Sequence, residues 1–435
     1  MRVAVVEWTT SGSDQNRIAK THYAWRHAGA TTSRILLERN CALTGCPTES
    51  STVPTVMTHG QGVAAAIGAS IEAGQDPGQT TTAARVARSG VAPGVEFTYY
   101  RVNGCSALDL AIQQALFDGA SVVNDSNEYG TGTTPPHTHL TDCGGVNAAL
   151  RGFVDYEGVF VHAAGNSTHI GYPGTRPESI TVAGLDTRDN TIAYGAITGF
   201  YPGSGSGTIS VVVNGTTMYG AQKPVVVGAP AYVALLPSIP LASYIPSGGW
   251  FEGTSIASPI VAGIATLFKD GMGGGGASNG RLILSAILAM GDGWSGSGSG
   301  VLVTGTSSNV GSGRIRALRP TFYGYRTFSI SQGQEVCWDV ANGAVLNGYS
   351  GWKWGLTWKE PDLSQAADLD LRVRDINTNL VLYSQSDYAI HNRVRLNASQ
   401  IAGKRLRACV YGYSVPSGQA RTVYTTDFVH SNAGD

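Results

Sequence analysis

A chain of 435 residues is long enough for two domains and a large buried core. Only 14% of its residues are charged and 29 basic side chains balance 30 acidic ones, which excludes the cationic footprint of a nucleic-acid binder. No apolar run reaches the length of a membrane span, while 58 glycines and an even set of six cysteines, none in a Cys-x-x-Cys pair, suit a loop-rich secreted α/β protein with disulfides.

Arg2-Val3-Ala4-Val5-Val6 reads as a buried strand that delivers Glu7 to its C-terminal edge. That edge is where open α/β sheets gather ligands and reactive groups. Met1-Arg2 leads into this strand with no signal-peptide pattern, so a mature form headed by a start methionine is expected. Residues 13–40 read as helical towards the middle and strand-like at Arg34–Leu37, with Asp14 a second acid near the first strand. The expected disulfides are Cys41–Cys46 and Cys105–Cys143 in the first domain and Cys337–Cys409 in the second. His59-Gly60-Gln61-Gly62-Val63-Ala64 opens an alanine-rich helix with the histidine at its mouth. Gly90–Phe97 turns into a strand, a helix follows around Leu108–Asp118, and the buried run Ser121–Asn124 ends in Asp125-Ser126-Asn127-Glu128.

A Gly-, Thr- and Pro-rich insertion spans 129–144. Despite His137, His139 and Asp142 it reads as a loop anchored by a disulfide rather than as a metal site. Val159–Ala164 is a strand running into the turn Gly165-Asn166, and Gly171-Tyr172-Pro173-Gly174 precedes another strand at Ile180–Gly184. Two β-type runs, Ile209–Val213 and Val225–Val227, lead to the turn at 228–230; Arg281–Met290 is a helix, and the tracts 271–276 and 295–300 are low-complexity loops. From about Thr321, short runs of β-formers alternate with turns, which predicts an antiparallel sandwich or jelly roll. The expected division is therefore 1–319, an α/β domain with a mostly parallel central sheet, and 320–435, an all-β sandwich.

Phe251–Phe268 organises the rest. Gly253-Thr254-Ser255-Ile256-Ala257-Ser258-Pro259-Ile260-Val261-Ala262-Gly263 passes from a close-packed turn into a helix, with Ser255 in its first turn. Unpaired N–H groups and the helix dipole favour negative charge there. Pro259 has no N–H for the carbonyl of Ser255, so the turn is irregular. This is a suitable seat for a serine nucleophile whose reaction builds an oxyanion.

The run resembles the serine segment of the subtilisin-like serine proteases, the subtilases. His59-Gly60-Gln61-Gly62-Val63-Ala64 resembles the family's His-Gly-x-x-Val-Ala, with Gly62 replacing a usual second histidine. Ala163-Ala164-Gly165-Asn166 resembles its Ala-Ala-Gly-Asn, and Gly311–Ala317 its Gly-x-Gly-x-Ile/Val-x-Ala ending. The resemblance implies Ser255 as nucleophile, His59 as general base and Asn166 with the Ser255 amide as oxyanion donors. It places Glu7 where the family has its triad aspartate, so a Glu-His-Ser triad is expected, with Asp14 as the fallback acid. It also implies a substrate edge and pocket from Ser126, Asn127, Glu128, Ala164, Gly165 and Gly171; only Ser126 matches the family's Ser-Leu-Gly edge, and Glu128 is either a recogniser of a basic substrate residue or a solvated rim charge.

The reading is a secreted, monomeric serine endopeptidase acting on protein or peptide substrates through an acyl-enzyme, with no cofactor required. The C-terminal part resembles the β-sandwich appended to some bacterial subtilases; Asp368, Asp370 and Asp375 there are candidate ligands of a structural Ca²⁺, or solvated strand carboxylates. Two alternatives stand beside it: a catalytically silent pseudoprotease used for binding, and a sedolisin-like acid peptidase, which Glu7 suggests and His59 and Asn166 oppose.

Overall fold

The computed structural model describes residues 1–9, 16–27, 30–50, 59–70, 89–129, 143–166, 170–184, 207–213, 216–223, 226–228, 253–272, 279–292, 312, 314–315, 322–361, 365–385 and 391–431. Asp14, His137, His139 and Asp142 lie outside the described residues. The chain divides into two compact units, one of Met1–Thr133, Asp142–Gly205 and Gly228–Gly280, the other of Thr134–Thr141, Ser206–Val227 and Arg281–Asp435.

The first unit is built on parallel strands: β1 (Arg2–Trp8), β2 (Ile35–Asn40), β3 (Glu96–Val102), β4 (Val122–Asp125), β5 (Val159–Ala163) and β6 (Ser179–Gly184). They lie in the order β2-β3-β1-β4-β5-β6. Val3 to Glu7 of β1 and all of β4, β5 and β6 are buried, which is why these segments read as unbroken apolar runs. From β1 the chain crosses to the edge at β2, returns inward through β3, and then lays β4, β5 and β6 on the other side of β1. The reversal places a crevice at the carboxyl ends of β1 and β4.

Helices α2 (Cys105–Phe117) and α3 (Val146–Asp155) cover one face, packing Leu108, Ile112, Leu150 and Phe153 against Ala4, Val6 and Val123. Val3, Val5 and Glu7 alternate to the other face. There α1 (His59–Gly68) packs against α4 (Thr254–Gly271). The alanines and glycines of α1, buried from Gly60 to Gly68, permit that close approach.

All three expected disulfides are formed: Cys41–Cys46, Cys105–Cys143 and Cys337–Cys409. The helix expected within 13–40 is not: the described part holds only a 3-10 turn at Tyr23–Trp25. The carbonyl of Ala24 accepts from Arg34 Nη2 (2.9 Å) and from the amide of Ser70 (2.9 Å) instead of entering a helical ladder. The buried Arg34 guanidinium also donates to the carbonyls of Gly68 and Val95, so it organises this turn from the centre.

The second unit carries β7 (Gly207–Val213) and β8 (Thr216–Lys223), an antiparallel ribbon; the unit boundary falls within the short β9 (Val226–Gly228), and helix α5 (Gly280–Met290) comes later. Eight strands follow: β10 (Phe322–Ser331), β11 (Glu335–Asp339), β12 (Gly351–Trp358), β13 (Asp368–Asp375), β14 (Val381–Gln385), β15 (His391–Asn397), β16 (Leu406–Ser414) and β17 (Ala420–His430). They form two four-stranded antiparallel sheets, β10-β17-β12-β15 and β11-β16-β13-β14. Trp352, Trp354, Leu356 and Trp358 from one sheet bury against Leu369, Leu371 and Val373 from the other, each set spaced by two as strands require. Helix α5 belongs to this unit, tied by the Ser285 and Thr426 hydroxyls at 2.7 Å.

Candidate active site

β1 ends at the sheet's crevice, and Glu7 is fully buried there. Its Oε2 lies 2.9 Å from Nδ1 of His59, the first residue of α1. A carboxylate only accepts, so Nδ1 carries the proton and Nε2 is left with the lone pair of a base. Gly60 makes the approach possible: a Cβ there would stand 2.5 Å from Glu7 Cγ and 1.8 Å from the Tyr99 hydroxyl. Burial pulls the imidazole towards its neutral form, but the Glu7 charge and hydrogen bond outweigh it and hold the His59 pKa above the usual value. The imidazole keeps 34% of its surface exposed, enough to be reached from the crevice.

Ser255 is the second residue of α4. Its carbonyl, deprived of a helical donor by Pro259, accepts from the hydroxyl of Ser126 at 3.0 Å. The Ser255 hydroxyl in turn donates to the carbonyl of Ser126 at 3.1 Å. Asn124 extends this bracket: its Nδ2 donates to Ser126 Oγ (3.0 Å), and its Oδ1 accepts from Ser258 Oγ (2.8 Å). The end of β4 thereby fixes the first turn of α4. Asn124 was not among the expected site residues, although the five successive polar residues Asn124 to Glu128 at the end of a buried strand are its visible signal.

Asn166 follows the Gly165 turn and faces the same helix start. Its Oδ1 accepts from the amide (3.0 Å) and hydroxyl (3.0 Å) of Thr254. Because the Thr254 amide can only donate, the oxygen end is anchored and Nδ2 is presented beside Gly253. Gly253 has φ 125°, and a Cβ there would lie 3.2 Å from that nitrogen, so the position requires glycine.

The remaining expected residues divide. Ser126 touches Ser255 directly. Asn127 turns its amide onto β1, donating to the Val6 carbonyl (2.9 Å) and accepting from the Trp8 amide (3.0 Å). Ala164 is buried and spends its backbone groups on Val182 (2.9 Å) and Gly171 (3.0 Å), while Gly165 turns the chain with φ 95°. Glu128 packs against Gly171, where a Cβ would stand 2.8 Å from its Cγ. Asp368, Asp370 and Asp375 share a strand; Asp370 pairs with Arg372 at 3.6 Å, and Asp375 accepts from the Thr378 hydroxyl (2.9 Å) and the Asn377 amide (3.1 Å). Among the described residues, the one cluster with three metal-ligating groups is Glu335, Cys337 and Cys409, and its two cysteines are joined to each other.

Glu7 thus contacts His59, Ser126 contacts Ser255, and Asn166 contacts Thr254, while Asn127 ties the end of β4 to the end of β1. The subtilase family profile (peptidase S8) matches residues 29–281, more than half of the sequence. The chain belongs to the subtilase family. This subtilase is a serine protease by family and acts on protein or peptide substrates. No curated protein matches it. Among solved structures it is similar to the prenylagaramide maturation protease PagA (18% identity, 73% of this chain and 90% of that one, TM-score 0.44). It is also similar to the nisin leader peptidase NisP from Lactococcus lactis (17%, 67% and 82%, TM-score 0.43). A third is the psychrophilic subtilisin-like protease Apa1 from the Antarctic psychrotroph Pseudoalteromonas sp. AS-11 (15%, 73% and 91%, TM-score 0.39). Likenesses at this level carry no argument about substrate. No described helix is long and apolar enough to cross a membrane.

Proposed function

We propose that this subtilase is a secreted serine endopeptidase with a Glu7-His59-Ser255 triad. The observation that carries the reading is the 2.9 Å contact between a fully buried carboxylate and His59 Nδ1, at the rim where Ser255 opens α4. The chemistry requires the Ser255 hydroxyl to leave the Ser126 carbonyl and turn to the imidazole. His59 Nε2 takes the hydroxyl proton as Oγ attacks the peptide carbonyl, and later gives it to the leaving amine. Glu7 holds the ring in the Nδ1–H tautomer and stabilises the imidazolium. The tetrahedral oxyanion is held by Asn166 Nδ2 and the Ser255 amide, and water then hydrolyses the acyl-enzyme. Three disulfides support an oxidising, extracellular setting.

The test is intact mass after treatment with a serine-directed phosphonylating inhibitor, with the adduct mapped to a peptide. A single adduct on Ser255, lost in His59→Ala, is expected. A folded protein that takes no adduct would overturn the endopeptidase reading and leave a silent binding module. Activity confined to strongly acid pH would instead favour the sedolisin-like chemistry.

A further inference from the structure

β1 outruns its neighbour at the crevice. The pairing of β1 with β4 ends at Val6 opposite Asp125, while β1 continues through Glu7 to Trp8. On the β3 side the ladder is complete: Glu7 lies opposite Arg101, and the amide of Thr9 donates to Val102 O at 2.7 Å. On the β4 side, the Val6 carbonyl and the Trp8 amide would face the crevice unpaired. These two groups flank Glu7 and point the same way, as alternate backbone groups of a strand do.

The Asn127 side chain meets both. Its Nδ2 donates to Val6 O at 2.9 Å, and its Oδ1 accepts from Trp8 N at 3.0 Å. A carboxamide has the donor and acceptor of one peptide group, so it stands in for the next residue of β4. Its orientation is set from behind. Nδ2 also donates to Asp125 Oδ1 (2.8 Å), which accepts the Asn127 amide (3.2 Å) and the Tyr129 hydroxyl (3.2 Å). A flipped amide would put an oxygen against both the Val6 carbonyl and the Asp125 carboxyl. Asp125 and Tyr129 are buried, and the Tyr129 ring stands 6.0 Å from that of Trp8. The one residue between the two clamped peptide groups is the one whose carboxylate must meet His59.

We infer that Asn127 is a positioning residue for the triad: its amide, oriented by Asp125, locks the end of β1 so that Glu7 reaches His59. This rests on the Glu7-His59-Ser255 reading and assigns Asn127 to the acid rather than to the substrate edge. A glutamate has one more rotatable bond than an aspartate, so a strand end free to twist would spread its carboxylate over several positions. The clamp removes that freedom before substrate arrives.

Two variants, Asn127→Ala and Asn127→Ser, test this alone and combined with Glu7→Ala. Thermal melting reports folding of each, so that one serves if the other fails to fold. On a peptide substrate, kcat is expected to fall about 10- to 100-fold with KM nearly unchanged, as a misplacement of about 1 Å near the chemistry does. The acid limb of the rate profile should move to lower pH, because His59 loses part of the charge that raises its pKa. In the Glu7→Ala background the same changes should add little, since there is no carboxylate left to position. Equal losses in both backgrounds, or a rise in KM alone, would overturn the inference and return Asn127 to the substrate edge. A second readout needs no turnover: the His59 pKa followed by NMR in Ser255→Ala protein should fall when Asn127→Ala is added, and an unchanged value would equally overturn it. A wild-type protein that takes no phosphonyl adduct would count against the endopeptidase reading, while the NMR comparison still decides the clamp.

Discussion

Shortening Glu7 to aspartate restores the residue usual in subtilases, yet it should damage this one. The side chain loses one carbon–carbon bond of about 1.5 Å. The 2.9 Å contact with His59 Nδ1 would open to about 4.4 Å if the backbone stays in place. The backbone has little freedom to follow: β3 holds Glu7 through its pairing with Arg101, and Asn127 holds both neighbours from the other side. Nor can α1 advance, because Gly60 already lies against Glu7 and Tyr99, where even a methyl group would clash. At an effective dielectric of about 20, the retreat costs about 2 kcal/mol of attraction to the imidazolium; solvent on the open side of the ring reduces this to about 1–2 kcal/mol. Loss of the hydrogen bond adds a cost of similar size. Together these come to about 2–4 kcal/mol, so Glu7→Asp should lower kcat/KM by about 30- to 1000-fold.

The sign of the pH effect follows from the same geometry. The Glu7 carboxylate holds the His59 pKa above the usual value, so wild-type activity rises with pH as the imidazole loses its proton. In Glu7→Asp the charge is farther away, the pKa falls, and the acid limb shifts to lower pH while the plateau drops. Hydrolysis of a peptide substrate from about pH 5 to 10 reads both quantities. Wild-type activity or better in Glu7→Asp would refute the argument that the strand end is fixed and fitted to glutamate.

Asn166→Asp keeps the oxygen that caps Thr254 but removes the amide donor; kcat should fall about 10²- to 10³-fold with KM little changed, and initial-rate kinetics check it. Burial pushes the Asp125 carboxyl up to about 8 despite the hydrogen bonds from Asn127. An acid whose folded pKa exceeds its unfolded value of about 3.9 contributes stability present at low pH and lost as pH rises towards 8. The groups facing it are Glu7, Tyr129 and His162, the last with Nε2 at 3.6 Å. Asp125→Asn should flatten that part of the Tm–pH curve; an unchanged slope would refute it. In the sandwich, Trp354 is fully buried between the two sheets and donates its indole N–H to Thr425, so Trp354→Ala should destabilise this unit by about 3–5 kcal/mol in urea titration.

Much was legible in local patterns. Unbroken Val-rich runs announced the parallel strands because both faces of such a sheet are buried, and short runs of β-formers alternating with turns announced the sandwich. His59, Asn166 and Ser255 could be proposed because each sits beside a local run of glycines and small residues, and Glu7 because a buried strand ends at it. The segment before β2 was misread because the Arg34 guanidinium and the amide of Ser70, not local propensity, take up the carbonyl of Ala24. The sequence by itself determined which chemical groups are present and in which elements they stand. Only the tertiary structure decided what Ser126, Asn127 and Glu128 do. Three polar residues in a row carry no statement of which partner each will face. That depends on β4 stopping two residues short of β1, on Pro259 leaving a carbonyl for Ser126, and on Gly171 leaving space for Glu128. Such hydrogen bonds join residues more than a hundred positions apart, and they exist only once the sheet order has brought the strand ends together.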